Sequence, residues 1–206
     1  MDGKDMRTAV IGIGGAGCNV ISDVHIDHSM DVIAITSDEK RYEALDIKQR
    51  ILIPKALSTT RNNVANDIKK VLSGYDVAYI VAGMGGETGT DFAPIVASIA
   101  KDLGITVHSI LISPFEFESM RVIIARDGIA TMRMLCSSTV VVENERSLEK
   151  YGDLTLNEIF SRINQTIVSY INKQQDVNMR TFHDRLIDNE KTSIRTTMVQ
   201  RSLASY

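Results

Sequence analysis

The sequence predicts an α/β fold, a doubly wound and mainly parallel six-stranded sheet in the order 3-2-1-4-5-6 with helices on both faces. Three observations carry this. Apolar runs alternate with amphipathic segments over residues 1–172. The runs are apolar throughout rather than at every second position, as strands covered on both faces require. Two of them pass directly into glycine-rich turns that open helices, the usual place for an anion in such sheets.

In chain order, RTAVIGI (7–13) reads as the first buried strand and leads through GIGGAGCN (12–19) into a helix over 16–26. VIAIT (32–36) is the second strand and ILI (51–53) a short third, before a helical pattern over 61–73. VAYIVAG (77–83) is the fourth, followed by the loop GMGGETGT and a helix over 92–103. ITVHSILI (105–112) is the fifth, followed by a helix over 119–135 in which Gly128 implies close packing, since glycine there costs about 1 kcal/mol relative to alanine. STVVVE (138–143) is the sixth, and a long helix spans 155–172. Strand signals vanish after Asn172, so 1–172 reads as one domain and 173–206 as a helical or flexible tail with too few apolar residues for a core of its own. Within it, 176–188 is expected to fold back as a short helix over the long one or over a dimer neighbour. Lys191 to Tyr206 carries a thin amphipathic pattern that could meet a partner or a membrane surface, a mobile end being the plainer reading.

Composition narrows the function. A formal charge of −3 on 206 residues gives no polyelectrolyte signature, so no nucleic-acid partner is expected. No secretory signal and no membrane-spanning apolar run is seen, and Cys18 and Cys136 stand alone, which points to a reducing cytoplasm. His25 and His28 read as a solvated helix end rather than as metal ligands.

Two glycine loops carry the chemistry. GIGGAGCN alone fits any dinucleotide fold, and Asp38, about 20 residues on, stands where an acid meets a ribose hydroxyl. A nicotinamide-dinucleotide enzyme therefore stays open as an alternative. The second loop shifts the balance, because strands one and four are neighbours across the switch point and their loops then face one cleft. One nucleotide polyphosphate can use both.

GIGGAGCN, AGMGGETGTDFAPIVASIAKDLG, PFEFES, VENERSL and LNEIFSRINQTIV together resemble the GTP-binding domain of the tubulin/FtsZ superfamily, and FtsZ most closely, over about residues 6–172. The resemblance implies GTP or GDP held between successive subunits of a filament. It implies Gly14, Gly15, Ala16 and Gly17 as a first phosphate loop, with Asn19 reaching the nucleotide. Gly85, Gly86, Thr88, Gly89 and Thr90 become the loop over the β- and γ-phosphates. Glu118 matches an acid near the ribose, and Asn144 an asparagine after the sixth strand. Phe160 and Asn164 match an aromatic packed on guanine and an amide bonded to it. The family's arginine falls at Val122, so Arg121 serves only through a register shift. Against this, Phe160 also belongs to an apolar stripe at helical spacing with Leu156, Ile159, Ile163, Ile167, Tyr170 and Ile171, which fits a core position. Asn19 and Asn144 fit turn-forming roles.

Two departures stand out. Glu87 and Asp91 occupy positions where the family has glycine; a side chain at positive φ costs about 1–2 kcal/mol, and a carboxylate repels phosphate. Capping a helix explains Asp91. Glu87 could point to solvent, hold Mg²⁺ with the phosphates, or disfavour a γ-phosphate. The family also continues into a second domain through an acidic loop that completes the hydrolysis site, and here NMRTFHDRL offers only Asp184 as its counterpart. The reading is a guanine-nucleotide-binding, self-associating cytoskeletal or regulatory protein with weak or absent hydrolysis. Its expected partners are its own copies, as an oligomer or filament, or another FtsZ-like protein. A nucleotide-free interaction scaffold is the third possibility.

Overall fold

The computed structural model describes residues 6–54 and 61–203, with side chains for 6–54 and 63–180. The chain divides into two units, one up to Ser169 and one from Tyr170 onward. The first is a six-stranded sheet in the order β3-β2-β1-β4-β5-β6, parallel at every pairing. Its strands are β1 (Thr8–Ile13), β2 (Met30–Thr36), β3 (Gln49–Leu52), β4 (Val77–Gly83), β5 (Thr106–Ser113) and β6 (Ser138–Glu143). The sheet class and strand order are those the sequence predicts.

The central strands are buried almost end to end, which explains their unbroken apolar sequences, while β6 at the edge is only half-covered. On one face, Ile11, Ile13, Ile80 and Ala82 pack with Ile68 of α3 (Arg61–Leu72), Val96 and Ala97 of α4 (Glu87–Asp102) and Met132 of α5 (Ser119–Leu135). On the other, α1 (Gly14–Asp23) lies over β1, β2 and β4. Gly128 is a close-packing position as expected: a Cβ there would come within 2.8 Å of Thr90 Cγ2.

Two short helices escape the sequence reading, α2 (Glu39–Ala44) and α6 (Asn144–Lys150), because six or seven residues carry too little periodicity to register. Two boundaries need correction. α4 begins at Glu87, five residues before the expected start, because Gly86 in an extended conformation (φ −94°, ψ 148°) already serves as its N-cap and accepts the Thr90 N–H. The last helix, α7, spans Leu156–Leu203, well past the expected end at residue 172. The physical reason is plain in retrospect: no glycine or proline occurs between Leu156 and Leu203 to end a helix. In the first unit α7 buries Ile159, Ile163, Ile167 and Val168; in the second, the described backbone is helical as far as Leu203.

Candidate functional site

The carboxyl ends of the adjacent strands β1 and β4 each turn into a helix through glycine, so the N-termini of α1 and α4 open side by side. Gly14 makes the contact between them. It holds φ +71°, and a Cβ there would lie 3.2 Å from Gly89 N and 3.3 Å from Thr88 Cβ. Gly85 turns the second loop at φ +86°, with room for a Cβ only 2.5 Å from the Arg121 carbonyl oxygen. Its N–H is donated to Thr90 Oγ1 at 2.9 Å, which fixes the turn. Thr88 Oγ1 shares a 2.6 Å hydrogen bond with Ser37 Oγ, tying this loop to the end of β2.

These loops border a cavity of about 450 Å³, within the range of small-molecule sites. Gly14, Gly15, Ala16, Gly86, Thr88 and Gly89 line it, and so do Glu118, Asn144 and Phe160. Gly17, Gly85 and Thr90 do not line it but shape its walls; a Cβ on Gly17 would approach the Val81 carbonyl to 2.2 Å. Asn19 and Asn164 are engaged elsewhere. Asn19 Oδ1 accepts from Arg41 Nη1 at 2.5 Å, and the buried Asn164 donates Nδ2–H to Asp23 Oδ2 at 2.9 Å, joining α7 to α1. Asp184 lies outside the residues whose side chains are described.

Phe160 is no core residue: it is 40% exposed and edges onto Phe115 at 5.9 Å between ring centroids. Phe115 in turn stacks on the exposed Phe117 at 5.1 Å, and all three rings line the cavity. Residue spacing alone does not single out Phe115 or Phe117, although both stand in the PFEFES stretch. Beside them, Asn144 is 6% exposed and its Oδ1 finds no hydrogen-bond partner among the described residues. Glu118 receives the Phe115 N–H at 3.0 Å and is ion-paired with Arg121, which also lines the cavity. Thus Arg121, not Val122, brings a guanidinium to this wall.

Glu87 is exposed on the cavity wall as the first residue of α4, where its charge complements the helix dipole. Among the described residues no non-glycine residue takes a positive φ, so the strain expected at Glu87 and Asp91 does not arise. Nor does Asp91 cap α4: it is the fifth residue of that helix, just past the orphan amides. Asp38 is the residue that caps, its carboxylate accepting the Arg41 N–H at the start of α2. Among the described residues, no group of three or more His, Cys, Asp or Glu is placed to hold a metal ion, and no helix is long and apolar enough to cross a membrane.

The six-stranded parallel sheet in the order β3-β2-β1-β4-β5-β6 matches the FtsZ/tubulin GTPase fold. Residues 54–152 match the Tubulin/FtsZ family, GTPase domain. The chain is 31% identical to cell division protein FtsZ 2 of Haloferax volcanii, over 81% of this chain and 46% of that protein. It is 30% identical to cell division protein FtsZ 2 of Methanocaldococcus jannaschii, over 81% and 48%. An empty FtsZ dimer from M. jannaschii superposes with a TM-score of 0.73 at 25% identity, over 83% of this chain and 55% of that one. The resemblance carried by the motifs therefore holds, and the chain is similar to FtsZ within the tubulin superfamily. It spans about half the length of the curated relatives it matches.

Proposed function

We propose that this domain binds a guanine nucleotide, GTP or GDP, in the cavity at the ends of β1 and β4, and that it works as a self-associating cytoskeletal or regulatory element with weak or absent hydrolysis. One observation supports this above the others: the buried Asn144 Oδ1, unpartnered beside the cavity, needs a donor that the described residues do not supply. A ribose hydroxyl or a base N–H would satisfy it. The apposed N-termini of α1 and α4 suit the phosphates, because orphan amides and helix dipoles both favour anions. Phe160 offers a ring face to the base, with Phe115 and Phe117 supporting it. Glu118 is the acid near the ribose, and Asn164, one turn along α7 from Phe160, is the amide for guanine's edge once the base displaces its bond to Asp23.

Glu87 is the residue that opposes a terminal phosphate, or that joins it in holding Mg²⁺ when the metal is present. Either role supports slow turnover, with Asp184 as the candidate catalytic group. Self-association is supported by the likeness to FtsZ and by the large apolar side chains Phe117 and Met120, each 69% exposed at this end of the sheet. Copies of this chain or another FtsZ-like protein are the partners. Calorimetric titration with GDP, GTP, ATP and NAD tests the reading. Guanine nucleotides should bind at least about tenfold better than ATP, since adenine lacks guanine's donor edge and leaves buried polar groups unpaired. Equal affinity for ATP and GTP, or preferential binding of NAD, would refute it. Any GTP turnover should rise with protein concentration if subunits share sites.

A further inference from the structure

A nucleoside di- or triphosphate is multiply anionic, and the cavity walls are poorly charged to receive one. Glu87 and Glu118 are carboxylates, and Arg121, the sole cation on the wall among the described residues, is already ion-paired with Glu118. Two helix N-termini add only about half a positive charge each.

A second guanidinium lies just behind the first glycine loop. Arg41 is the third residue of α2, and its backbone N–H is fixed by the Asp38 carboxylate. Its Nη2 is 3.7 Å from where a Cβ on Gly15 would stand, so the guanidinium flanks the opening turn of α1. Nη1 donates to Asn19 Oδ1, and no carboxylate among the described residues pairs with the group. Its charge is felt locally: it partly counters the upward push that burial gives the Cys18 thiol. A guanidinium has five N–H donors in a planar fork suited to phosphate oxygens, and only one is engaged here.

We propose that Arg41 is the phosphate-neutralising residue of this site, reaching past Gly15 to the distal phosphates, and that Asn19 positions it. Asn19 thereby acts through Arg41 rather than by touching the base. This rests on the nucleotide reading above and deepens it, since it says where discrimination among mono-, di- and triphosphate arises.

The test is the affinity series GMP, GDP, GTP, by calorimetry in EDTA and in Mg²⁺, for the parent, Arg41→Ala and Arg41→Lys, with the unliganded melting temperature of each. Arg41→Ala should weaken GDP and GTP about tenfold or more, the loss of a charge-assisted hydrogen bond, with GMP changed less than about threefold. Arg41→Lys should fall between, keeping charge without the fork. The melting temperatures should agree, since the Arg41 side chain has no buried ion pair to lose. An equal loss for all three nucleotides, or none, overturns the proposal. So does recovery of GTP affinity in Arg41→Ala on adding Mg²⁺, which would make the metal the neutralising charge. If the parent binds none of the three, the nucleotide reading itself has failed, and that result is distinct from a flat series.

Discussion

Asn144→Ala separates ligand recognition from folding more cleanly than any other single change. Asn144 Oδ1 is buried without a partner among the described residues, a burden of about 1–3 kcal/mol. Removing the amide lifts that burden but also removes packing atoms from a 6% exposed side chain. The two effects oppose, and the net should lie between zero and about +1 kcal/mol, which for a chain of this size shifts the melting temperature by 0 to about +4 °C. Binding should move the other way. If the ligand satisfies Oδ1, the variant loses about 1–3 kcal/mol of GDP affinity, or roughly 5- to 150-fold. Scanning calorimetry of the free protein and titration with GDP measure the two halves independently. A variant that melts lower without ligand and binds GDP as tightly as the parent would show that Asn144 is a structural turn residue. The orphaned oxygen would then say nothing about a ligand.

Gly85→Ala should cost about 2–4 kcal/mol, combining the left-handed penalty with a Cβ forced to 2.5 Å from the Arg121 carbonyl. Gly104→Ala, at φ +79° with nothing within 4 Å, should cost only about 1–2 kcal/mol; equal costs in denaturant titrations would mean that the Arg121 contact is slack. Burial raises the Cys18 thiol from 9.0 to about 11, with Arg41 and the Ile35 carbonyl acting in the opposite direction. Between those values the folded state keeps a proton that the unfolded chain has lost, so stability should decline as pH rises from about 9 to about 11. Cys18→Ala should flatten that decline, and an unchanged pH profile would contradict the assignment. Glu87→Gln should raise GTP affinity about 2- to 10-fold in EDTA by removing a like charge. A fall in affinity that appears only with Mg²⁺ would instead make Glu87 a metal ligand.

Much of this protein was legible in one dimension, for reasons of local physics. Strands covered on both faces must be apolar at every position, so β1, β4 and β5 announce themselves, and handedness with alternation then orders the sheet. A glycine turn running from a buried strand into a helix marks an anion site, and Gly14, Gly15, Gly86 and Gly89 stand on the cavity wall. Tertiary structure decided what those rules leave free. Where α4 starts depended on Gly86 capping it in three dimensions, which made Glu87 and Asp91 ordinary helical residues rather than strained loop carboxylates. Whether Arg121 or Val122 faces the cavity depended on the phase of α5, which packing sets and spacing from PFEFES does not. The polar side chains were least readable of all. An asparagine donates and accepts equally well, so its partner is whichever complementary group the fold delivers: Arg41 for Asn19, Asp23 for Asn164 across 141 residues of chain, and none among the described residues for Asn144 Oδ1.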